Sequence, residues 1–540
     1  MQKLLSAGQA IVDGLIRNGV RHIFGIPGVH TYALIDALQE RQAELAYLGT
    51  RHEQGAAYMA YGYARSSGRI GAYTCVPGPG VLNTSAALCT AYAANAPVLC
   101  LTSEIFSHEI GRGHGILHEL PDQLAILRGL TKWSARIGHP TEAPRLVARA
   151  FEELTGGRPR PVALECPWDV LGQKALLELE AAVRPAAPPP PDADAVERAA
   201  KLIAGAAAPL IMVGSGALGA GAEVLELARS LQAPVTAHRS GRGIVSEDSP
   251  YGLDLAAAYL LWAKTDVLIA IGTRMELQFI RWKQVPPALK IVRIDIDPEE
   301  LPRRPAEVGI VTDARLGVRA LIEALARRLG MRASREAEFG ELKARARREF
   351  AVVQPQLAFL DAIRTVLPRD GFFVEEISQV GFTARFGFPV YEPRTYVASG
   401  YQDNLGFGYM TSLGVKVANP TRAVVSVNGD GGFMFGVQEL ASAVQHGIGS
   451  VAIVFNNRSF GNVLRDQETL FGGRFLGERL RNPDFVRLAE SFGAAGYRAA
   501  TPEELRVRLE RALSDGAPAL IEVPLEPGAE VSPWPFIHRS

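Results

Sequence analysis

The feature that most constrains this chain is a glycine-flanked aspartate, Asp430, followed 27 positions later by Asn457 at the end of a second apolar run. The β-branched run from Val424 to Val427 predicts a buried strand that ends in a tight glycine turn, and Val451 to Phe455 predict the next strand. The segment from Val437 to Gln445 predicts a helix between them. This order of elements places Asp430 and Asn457 at the carboxyl ends of neighbouring parallel strands, where open sheets bind ligands.

The residue types in this stretch suit a diphosphate and a magnesium ion. A glycine turn before a helix offers free backbone N–H groups to a diphosphate, and Mg²⁺ prefers an octahedron of oxygen ligands. The predicted metal ligands are Asp430, Asn457 and the backbone carbonyl of Ser459. The alternative is an ordinary strand–helix–strand turn with an asparagine-rich loop. The predicted cofactor-binding residues of this stretch are Gly429, Asp430, Gly431, Gly432, Asn457, Ser459, Phe460 and Gly461.

A second motif lies far upstream, where Glu53 stands in the segment RHEQGA before a helix face of small apolar residues. Together with the GDG…NN stretch, it resembles the thiamine-diphosphate enzymes of the acetolactate synthase and benzoylformate decarboxylase group. The resemblance runs from FGIPG near the start to PWPFI near the end. It implies that Glu53 contacts N1′ of the aminopyrimidine, within an apolar pocket that keeps its pKa suited to proton transfer. Taken alone, a glutamate on a helix is usually solvated surface.

A third stretch, SGYQDNLGFGYM, matches the family segment that lies under the thiamine ring. The resemblance implies that Leu405 forces the bent conformation of the cofactor and that the backbone carbonyl of Asp403 accepts from its 4′-amino group. It also places Ser378 and Gln379 at the diphosphate loop.

The residues that would select the substrate depart from the best-known members of the family. Gln278 stands where acetolactate synthases carry an arginine, and Asp466 stands where they carry a tryptophan. Val76 and Pro77 replace the His-Ser pair of benzoylformate decarboxylase. These departures weaken both an ordinary biosynthetic acetolactate synthase and a benzoylformate decarboxylase as the interpretation.

The resemblance implies that the polar groups near the reacting carbon are His30, His118, Glu119 and Asn462. A histidine with a pKa near neutrality can protonate a reacting carbon or bind a carboxylate. These four residues, with Glu53, are the predicted catalytic residues, although loop histidines often serve only in structural hydrogen bonds.

The chain has 540 residues, which predicts about three domains. The alternation of apolar runs and helical patterns predicts an α/β fold, with two thiamine-binding domains around a Rossmann-like middle domain, each a parallel sheet flanked by helices. The predicted boundaries are 1–171 for the pyrimidine-binding domain, 172–194 for a proline-rich linker, 195–330 for the middle domain, 331–356 for a charged helical linker and 357–540 for the diphosphate-binding domain.

Composition excludes several classes of protein. Lys+Arg and Asp+Glu are both 57, so the net charge is zero, which argues against nucleic acid as a partner. The four cysteines have no CxxC spacing, which fits a reducing, cytoplasmic compartment. The first residues predict an amphipathic helix rather than a signal peptide, and no apolar run is long enough to span a membrane.

The middle domain contains a glycine pattern, Gly214 to Gly219, that fits a dinucleotide fingerprint, but the next predicted strand ends at His238 and Arg239 instead of an acidic residue. Glycines that allow close helix–strand packing explain the pattern better. Since some members of the family bind FAD or ADP in this domain, a nucleotide is possible there but is not expected.

The predicted function is thiamine-diphosphate- and Mg²⁺-dependent decarboxylation of a small 2-oxo acid with carboligation, similar to acetolactate synthase. The alternatives are a decarboxylase that releases an aldehyde, a lyase acting on an acyl-CoA, and a silent thiamine-binding protein. In the resembling family, Glu53 and Asp430 of one site come from different subunits. The resemblance therefore implies a homodimer as the minimum active unit and a homotetramer as the common state.

Overall fold

The computed structural model describes residues 2–282 and 284–539, without the side chains of Leu277 and Gln278. The expected effect of Gln278 on the substrate therefore lies outside the described side chains. Three six-stranded sheets dominate the structure, every strand in them is parallel to its neighbours, and helices cover their faces. The α/β fold class predicted from the sequence is confirmed.

The first sheet has the strand order β3-β2-β4-β5-β7-β6, and a separate antiparallel pair joins β1 to β8. Its elements, in chain order, are β1 (Lys3–Ser6), α1 (Ala7–Arg17), β2 (His22–Gly25), α2 (Tyr32–Glu40), β3 (Ala46–Gly49), α3 (Glu53–Ser67), β4 (Gly71–Cys75), α4 (Pro79–Asn83), α5 (Ser85–Ala93), β5 (Val98–Glu104), α6 (Gln123–Leu130), β6 (Trp133–Arg136), α7 (Ala143–Thr155), β7 (Val162–Pro167), α8 (Trp168–Gly172) and β8 (Lys174–Leu177).

The helix expected from the very first residues begins only at Ala7. Ser6 caps it, since the Ser6 hydroxyl accepts the Gln9 N–H while the Gln9 side chain accepts the Ser6 N–H. The residues before this cap pair with β8, which follows them by more than 160 positions. The sequence pattern of residues 3–6 alone does not predict that they pair with β8.

The second sheet has the order β11-β10-β9-β12-β13-β14. Its elements are α9 (Ala193–Ala204), β9 (Pro209–Val213), α10 (Gly221–Leu231), β10 (Val235–Ala237), β11 (Gly252–Leu253), α11 (Leu255–Trp262), β12 (Val267–Ile271), β13 (Lys290–Asp295), β14 (Val308–Val311) and α12 (Ala314–Ala326). The first glycines of the Gly214 to Gly219 pattern pack against Gly272, because a Cβ at Gly216 would come within 2.8 Å of the Gly272 Cα. Their close contact is thus with the loop after β12, not with a helix as expected.

The third sheet has the order β16-β15-β17-β18-β20-β19. Its elements follow the largely exposed helix α13 (Glu336–Phe350) and are α14 (Gln356–Val366), β15 (Phe372–Glu375), α15 (Gln379–Gly387), β16 (Tyr396–Val397), α16 (Phe407–Ala418), β17 (Val424–Gly429), α17 (Asp430–Phe433), α18 (Glu439–Gln445), β18 (Val451–Asn456), α19 (Gly461–Leu470), α20 (Phe485–Ser491), β19 (Ala495–Arg498), α21 (Pro502–Asp515), β20 (Ala519–Pro524) and α22 (Trp534–Ile537). The helix predicted from Val437 to Gln445 is α18, and the short helix α17, which was not predicted, precedes it at the glycine turn.

The first and third sheets share one apolar core, because α3 lies directly against α16. Two glycines make the approach possible. A Cβ at Gly62 would meet the Thr411 carbonyl oxygen, and a Cβ at Gly414 would meet the Met59 carbonyl oxygen. The helix that begins at Glu53 is thereby fixed to the C-terminal domain of its own chain.

Within the described residues, no helix combines the length and the apolar character needed to cross a bilayer. All four cysteines are free, and three of them are buried.

Candidate active site

A cavity of about 220 Å³ opens at the carboxyl ends of β17 and β18. Gly429 and Phe455 are register partners on these strands, so the residues that follow them emerge side by side. The lining residues are Ile377, Ser378, Gln379, Phe382, Leu405, Gly429, Asp430, Gly431, Gly432, Phe455, Asn457, Ser459, Phe460, Gly461, Asn462, Val463 and Glu530. The structure therefore brings together the predicted cofactor-binding residues of the C-terminal domain, with the exception of Asp403.

Asp430 is 2% exposed, and burial raises the pKa of its carboxyl. The carboxylate accepts hydrogen bonds from the Gly431 N–H at 2.9 Å and from Asn482 Nδ2 at 2.7 Å. No cationic side chain pairs with it among the described residues. A buried carboxylate without a counter-ion is unfavourable, and a bound divalent cation would offset that cost.

Asn457 turns its two amide atoms to different partners. Its Oδ1 accepts from the backbone N–H of Ser459 at 3.0 Å and from the Ser459 hydroxyl at 3.1 Å. Its Nδ2 donates to Glu530 Oε2 at 2.6 Å. The oxygens of Asp430, Asn457 and the Ser459 backbone form a donor set that suits Mg²⁺.

Glycines keep the rest of this cavity open. A Cβ at Gly431 would overlap the Phe460 ring, and a Cβ at Gly461 would lie 3.1 Å from Asn457 Nδ2. Ser378 also lines the cavity, and its hydroxyl accepts the Gly381 N–H and caps α15. These glycines and the start of α15 could hold a diphosphate group next to the oxygen donors.

Leu405 lines the cavity, and buried acidic groups fix the loop that carries it. The fully buried Glu376 accepts the N–H of Gly406 at 3.1 Å and of Gly408 at 2.7 Å, and burial raises the pKa of its carboxyl to about 7. Asp403, with a positive φ of 44°, directs its side chain away from the cavity.

Asp403 forms ion pairs with Arg385 at 2.8 Å and with Arg239 of the middle domain at 2.9 Å. Burial acts to raise the pKa of the Asp403 carboxyl, but the two arginines outweigh burial and lower it. The carboxylate of Asp403 is therefore occupied by the protein, while its predicted role concerns only the backbone carbonyl.

The other predicted residues lie in the N-terminal domain. Glu53 is the first residue of α3 and is partly exposed; its Oε2 accepts from Asn83 Nδ2 at 3.0 Å. Its Oε1 would lie 3.7 Å from a Cβ at Gly80, the second residue of α4. Oε1 has no described hydrogen-bond donor and remains free to bind a ligand.

His30 and His118 form a stacked pair, with ring centroids 4.8 Å apart. His30 is fully buried against Trp168, and its Nε2 lies 3.1 Å from the Leu117 carbonyl oxygen. Burial and the neighbouring His118 lower the pKa of His30, and the bond to Leu117 only partly opposes them. The Nδ1 atoms of both rings are buried without a hydrogen-bond partner in the described part of the chain.

The side chains of Glu119 and Asn462 form hydrogen bonds with neighbouring protein groups. The Glu119 carboxylate accepts three backbone N–H groups of its loop, from Gly113, Gly115 and Ile116, and these bonds lower its pKa, with Ile116 contributing most. Asn462 Oδ1 accepts from Trp534 Nε1 at 2.6 Å, and its Nδ2 donates to Asp466 at 3.1 Å. Their predicted catalytic roles stay predictions.

The predicted residues thus form two separate groups in one chain. None of the predicted N-terminal residues, Glu53, His30, His118 and Glu119, is among the described lining residues of the cavity at Asp430. Residues 76–80 (VPGPG) contact two members of the N-terminal group. A Cβ at Gly78 would overlap the backbone of His118, and Gly80 lies beside Glu53.

A larger cavity of about 290 Å³ lies at the carboxyl end of the middle sheet. It is bounded by Gly214 to Gly216, by Arg239 and Glu276, and by Gly400 and Tyr401 of the C-terminal domain. The expectation that no nucleotide is required here stays a prediction, and the cavity has room for a small ligand.

Three acidic or amide residues of the site were missed from the sequence: Glu439, Asn482 and Glu530. Glu439 accepts the N–H of Arg51 at 3.1 Å and of His52 at 2.9 Å, directly before Glu53. Glu530 lines the cavity at Asp430, and burial raises the pKa of its carboxyl to about 7. None of the three belongs to a recognisable motif, so only their position in the fold reveals them.

Comparison with known families matches three parts of the chain to the thiamine pyrophosphate enzymes. The matches are to the N-terminal TPP binding domain over residues 5–126, the central domain over 196–321 and the C-terminal TPP binding domain over 376–523.

Individual relatives match almost the whole chain. The probable 2-ketoarginine decarboxylase AruI of Pseudomonas aeruginosa is 35% identical, over 97% of this chain and 94% of that protein. The probable acetolactate synthase large subunit of Methanocaldococcus jannaschii is 34% identical, over 98% and 93%. The acetolactate synthase large subunit of Haemophilus influenzae is 30% identical, over 95% and 93%.

Proposed function

The chain belongs to the thiamine pyrophosphate enzymes, and on that premise we propose that it decarboxylates a small 2-oxo acid with bound thiamine diphosphate and Mg²⁺, followed by carboligation to a second carbonyl. It is an enzyme that acts on 2-oxo acids. The observation that carries the proposal is the oxygen donor set of Asp430, Asn457 and Ser459 beside the glycine-lined cavity.

The metal is proposed because Asp430 is a buried carboxylate that lacks a cationic partner in the described part of the chain. Mg²⁺ bound there by Asp430, Asn457 and the Ser459 carbonyl would anchor the diphosphate, since Mg²⁺ usually takes one or two protein side chains plus phosphate oxygens. Ser378, Gln379 and the glycines at 429, 431 and 432 would surround the phosphates, and Leu405 would support the thiamine ring.

When bound, thiamine diphosphate supplies the electron sink that lets a 2-oxo acid lose CO₂. The chain supplies Glu53, whose free Oε1 is proposed to hold a proton at the aminopyrimidine ring while Asn83 orients the other oxygen. His30 and His118 are proposed to face the substrate. The lowered pKa of His30 keeps its ring neutral near pH 7, and its Nε2–H donates to the Leu117 carbonyl. The unpartnered Nδ1 is then a hydrogen-bond acceptor, which is proposed to face a donor group of the substrate.

Release of an aldehyde is the second candidate, and two observations favour it. Asp466 stands where acetolactate synthases carry a tryptophan, and it accepts a hydrogen bond from the cavity residue Asn462. The described lining residues of the cavity include no lysine or arginine that could bind the carboxylate of a second oxo acid.

The active unit is proposed to be a homodimer, within a homotetramer. In one chain, α3 is fixed against α16, and Glu53 does not line the cavity of its own Asp430. A second chain that brings its Glu53 to this cavity would complete the site.

Product analysis by NMR tests the proposal, with thiamine diphosphate, Mg²⁺ and either pyruvate or 2-ketoarginine as substrate. Acetolactate from pyruvate supports carboligation, whereas an aldehyde as the only product moves the assignment to a simple decarboxylase. If thiamine diphosphate binds but neither substrate loses CO₂, the proposed range of 2-oxo acid substrates is wrong.

A further inference from the structure

The carboxylate of Glu530 meets Asn457 at the edge of the cofactor cavity. Glu530 is partly buried in the C-terminal tail after β20, and its Oε2 accepts from Asn457 Nδ2 at 2.6 Å. No catalytic motif contains Glu530. The proposed Mg²⁺ ligand and this tail residue are separated by 73 positions, so the tail must return across the domain to make the contact.

An asparagine amide has one oxygen and one NH₂ group of nearly the same shape, and only the oxygen can bind a metal ion. Glu530 Oε2 accepts at this contact, so it pairs with the NH₂ side of Asn457 and not with its oxygen. We infer that Glu530 is a positioning residue, which acts together with the Ser459 N–H on Oδ1 to fix the amide of Asn457, so that Oδ1, and not Nδ2, faces the Mg²⁺ site. This inference rests on the proposed metal ligation by Asn457.

The tail is held in place by hydrogen bonds directly after this contact. The Val531 N–H donates to the Gln354 carbonyl at 3.1 Å, and the buried Gln356 donates to the Val531 carbonyl at 2.6 Å. Ser532 accepts from Arg465 at 3.1 Å, and Trp534 donates to Asn462 at 2.6 Å.

Residues 530, 532 and 534 therefore each contact α19 or the loop before it. Several hydrogen bonds fix the segment that carries Glu530. Glu530 can therefore determine the orientation of the Asn457 side chain instead of adapting to it. Partners of metal ligands of this kind typically change metal affinity by 10–100-fold when removed.

The test is Mg²⁺-dependent binding of thiamine diphosphate, measured by calorimetry on the full-length protein after the metal and cofactor are removed with chelator. Glu530→Ala is expected to raise the Mg²⁺ concentration needed for binding at least tenfold. Glu530→Gln keeps an acceptor for Asn457 Nδ2 and is expected to stay within about threefold of the unmodified protein. Glu526→Ala is the matched control, because Glu526 is an exposed tail carboxylate that pairs with Arg458 next to Asn457.

Two results overturn the inference. Glu530→Ala with unchanged Mg²⁺ dependence means that the contact positions nothing, and Glu530→Gln as weak as Glu530→Ala means that charge, not amide orientation, is the cause. If the unmodified protein binds thiamine diphosphate without any need for Mg²⁺, the proposed metal function fails instead, which separates the two failures.

A second pair of variants covers the case in which Glu530→Ala does not fold. Asn457→Asp places two carboxylates against each other and is expected to weaken Mg²⁺ binding. Adding Glu530→Gln to this variant restores a hydrogen bond at the contact, now donated from position 530 to position 457. The double variant is expected to recover most of the lost Mg²⁺ binding. Equal weakness of the single and double variants overturns the inference.

Discussion

Gly55 leaves room for the carboxylate of Glu439, because a Cβ on Gly55 would overlap that group. Glu439 is fully buried in the C-terminal domain, and it accepts the backbone N–H groups of Arg51 and His52. The turn that begins α3 is therefore built from two domains. The position of Glu53 depends on a glycine two residues later and on a glutamate nearly 400 positions away.

Gly55→Ala is expected to lower the free energy of unfolding by about 1–3 kcal/mol, because the methyl group displaces the Glu439 carboxylate. Turnover should fall as well, since Glu53 moves with the turn. Urea unfolding and steady-state kinetics measure the two effects. Gly129→Ala is the matched control: Gly129 lies in α6 with no heavy atom within 4 Å of its Cβ position, so the change should be neutral or stabilise by up to about 1 kcal/mol. Equal stability of the two variants would contradict the overlap.

Glu53→Gln is expected to reduce turnover by a factor of about 10²–10⁴ while thiamine diphosphate still binds, because the amide cannot transfer a proton. Single-turnover kinetics and calorimetric titration with the cofactor separate these effects. Glu152→Gln, an exposed change on α7, should leave both unchanged. Normal turnover in Glu53→Gln would end the proposed role of this residue.

Asp430→Ala is expected to lose Mg²⁺ and thiamine diphosphate together, because the diphosphate is proposed to bind through the metal. Removing metal from the unmodified protein with a chelator should release the cofactor in the same way. Equilibrium dialysis with metal analysis measures both, and the exposed change Asp515→Ala serves as the control. Retention of cofactor by the Asp430 variant would place the metal elsewhere.

Mixing inactive chains tests whether the active site is shared. A Glu53→Gln chain paired with an Asp430→Ala chain has one site in which both changes meet and one site with neither. Random reassociation of equal amounts should therefore restore about a quarter of the activity in a two-fold dimer. The control mixes two preparations of the same variant. If activity does not return although gel filtration shows exchanged subunits, each chain must form its own site.

Glu376 makes a prediction about pH. Its pKa of about 7 in the folded protein lies above its ordinary value of 4.5, so the folded state binds the extra proton between these values. The contribution of Glu376 to stability therefore falls as pH rises from about 4.5 to 7. Relative to Glu376→Gln, the unmodified protein should lose up to about 3 kcal/mol of unfolding free energy across this range, measured by urea unfolding.

The control for that comparison is Glu341→Gln, which changes an exposed carboxyl on α13 and should show the same pH profile as the unmodified protein. A Glu376→Gln profile parallel to that of the unmodified protein would mean that Glu376 keeps the same protonation state across the range.

The sequence was sufficient for those parts of the molecule that depend on local patterns. The β-branched runs around Asp430 and Asn457 predicted β17 and β18, and their parallel pairing follows from the crossover between them. The alternating patterns predicted three α/β domains, and the match to the thiamine pyrophosphate enzymes confirms the resemblance seen in the GDG…NN and RHEQGA segments.

What the sequence could not supply are contacts between distant segments. Glu439 and Glu530 look like ordinary glutamates in the sequence, and their importance comes from long-range packing that places them against His52 and Asn457. The strand at Lys3 to Ser6 was missed for the same reason, since its partner lies beyond the first domain sheet.

The segment from Gly400 to Leu405 borders both the cavity of the middle sheet and the cavity at Asp430. Gly400 and Tyr401 line the cavity of the middle sheet, Asp403 is paired to Arg239 in that same cavity, and Leu405 lines the cavity at Asp430. Asp403 is only two residues from Leu405, so a change in the middle cavity that shifts Arg239 and Asp403 is expected to shift Leu405 as well. A redesign of the middle cavity therefore has to take account of the residue that is proposed to support the thiamine ring.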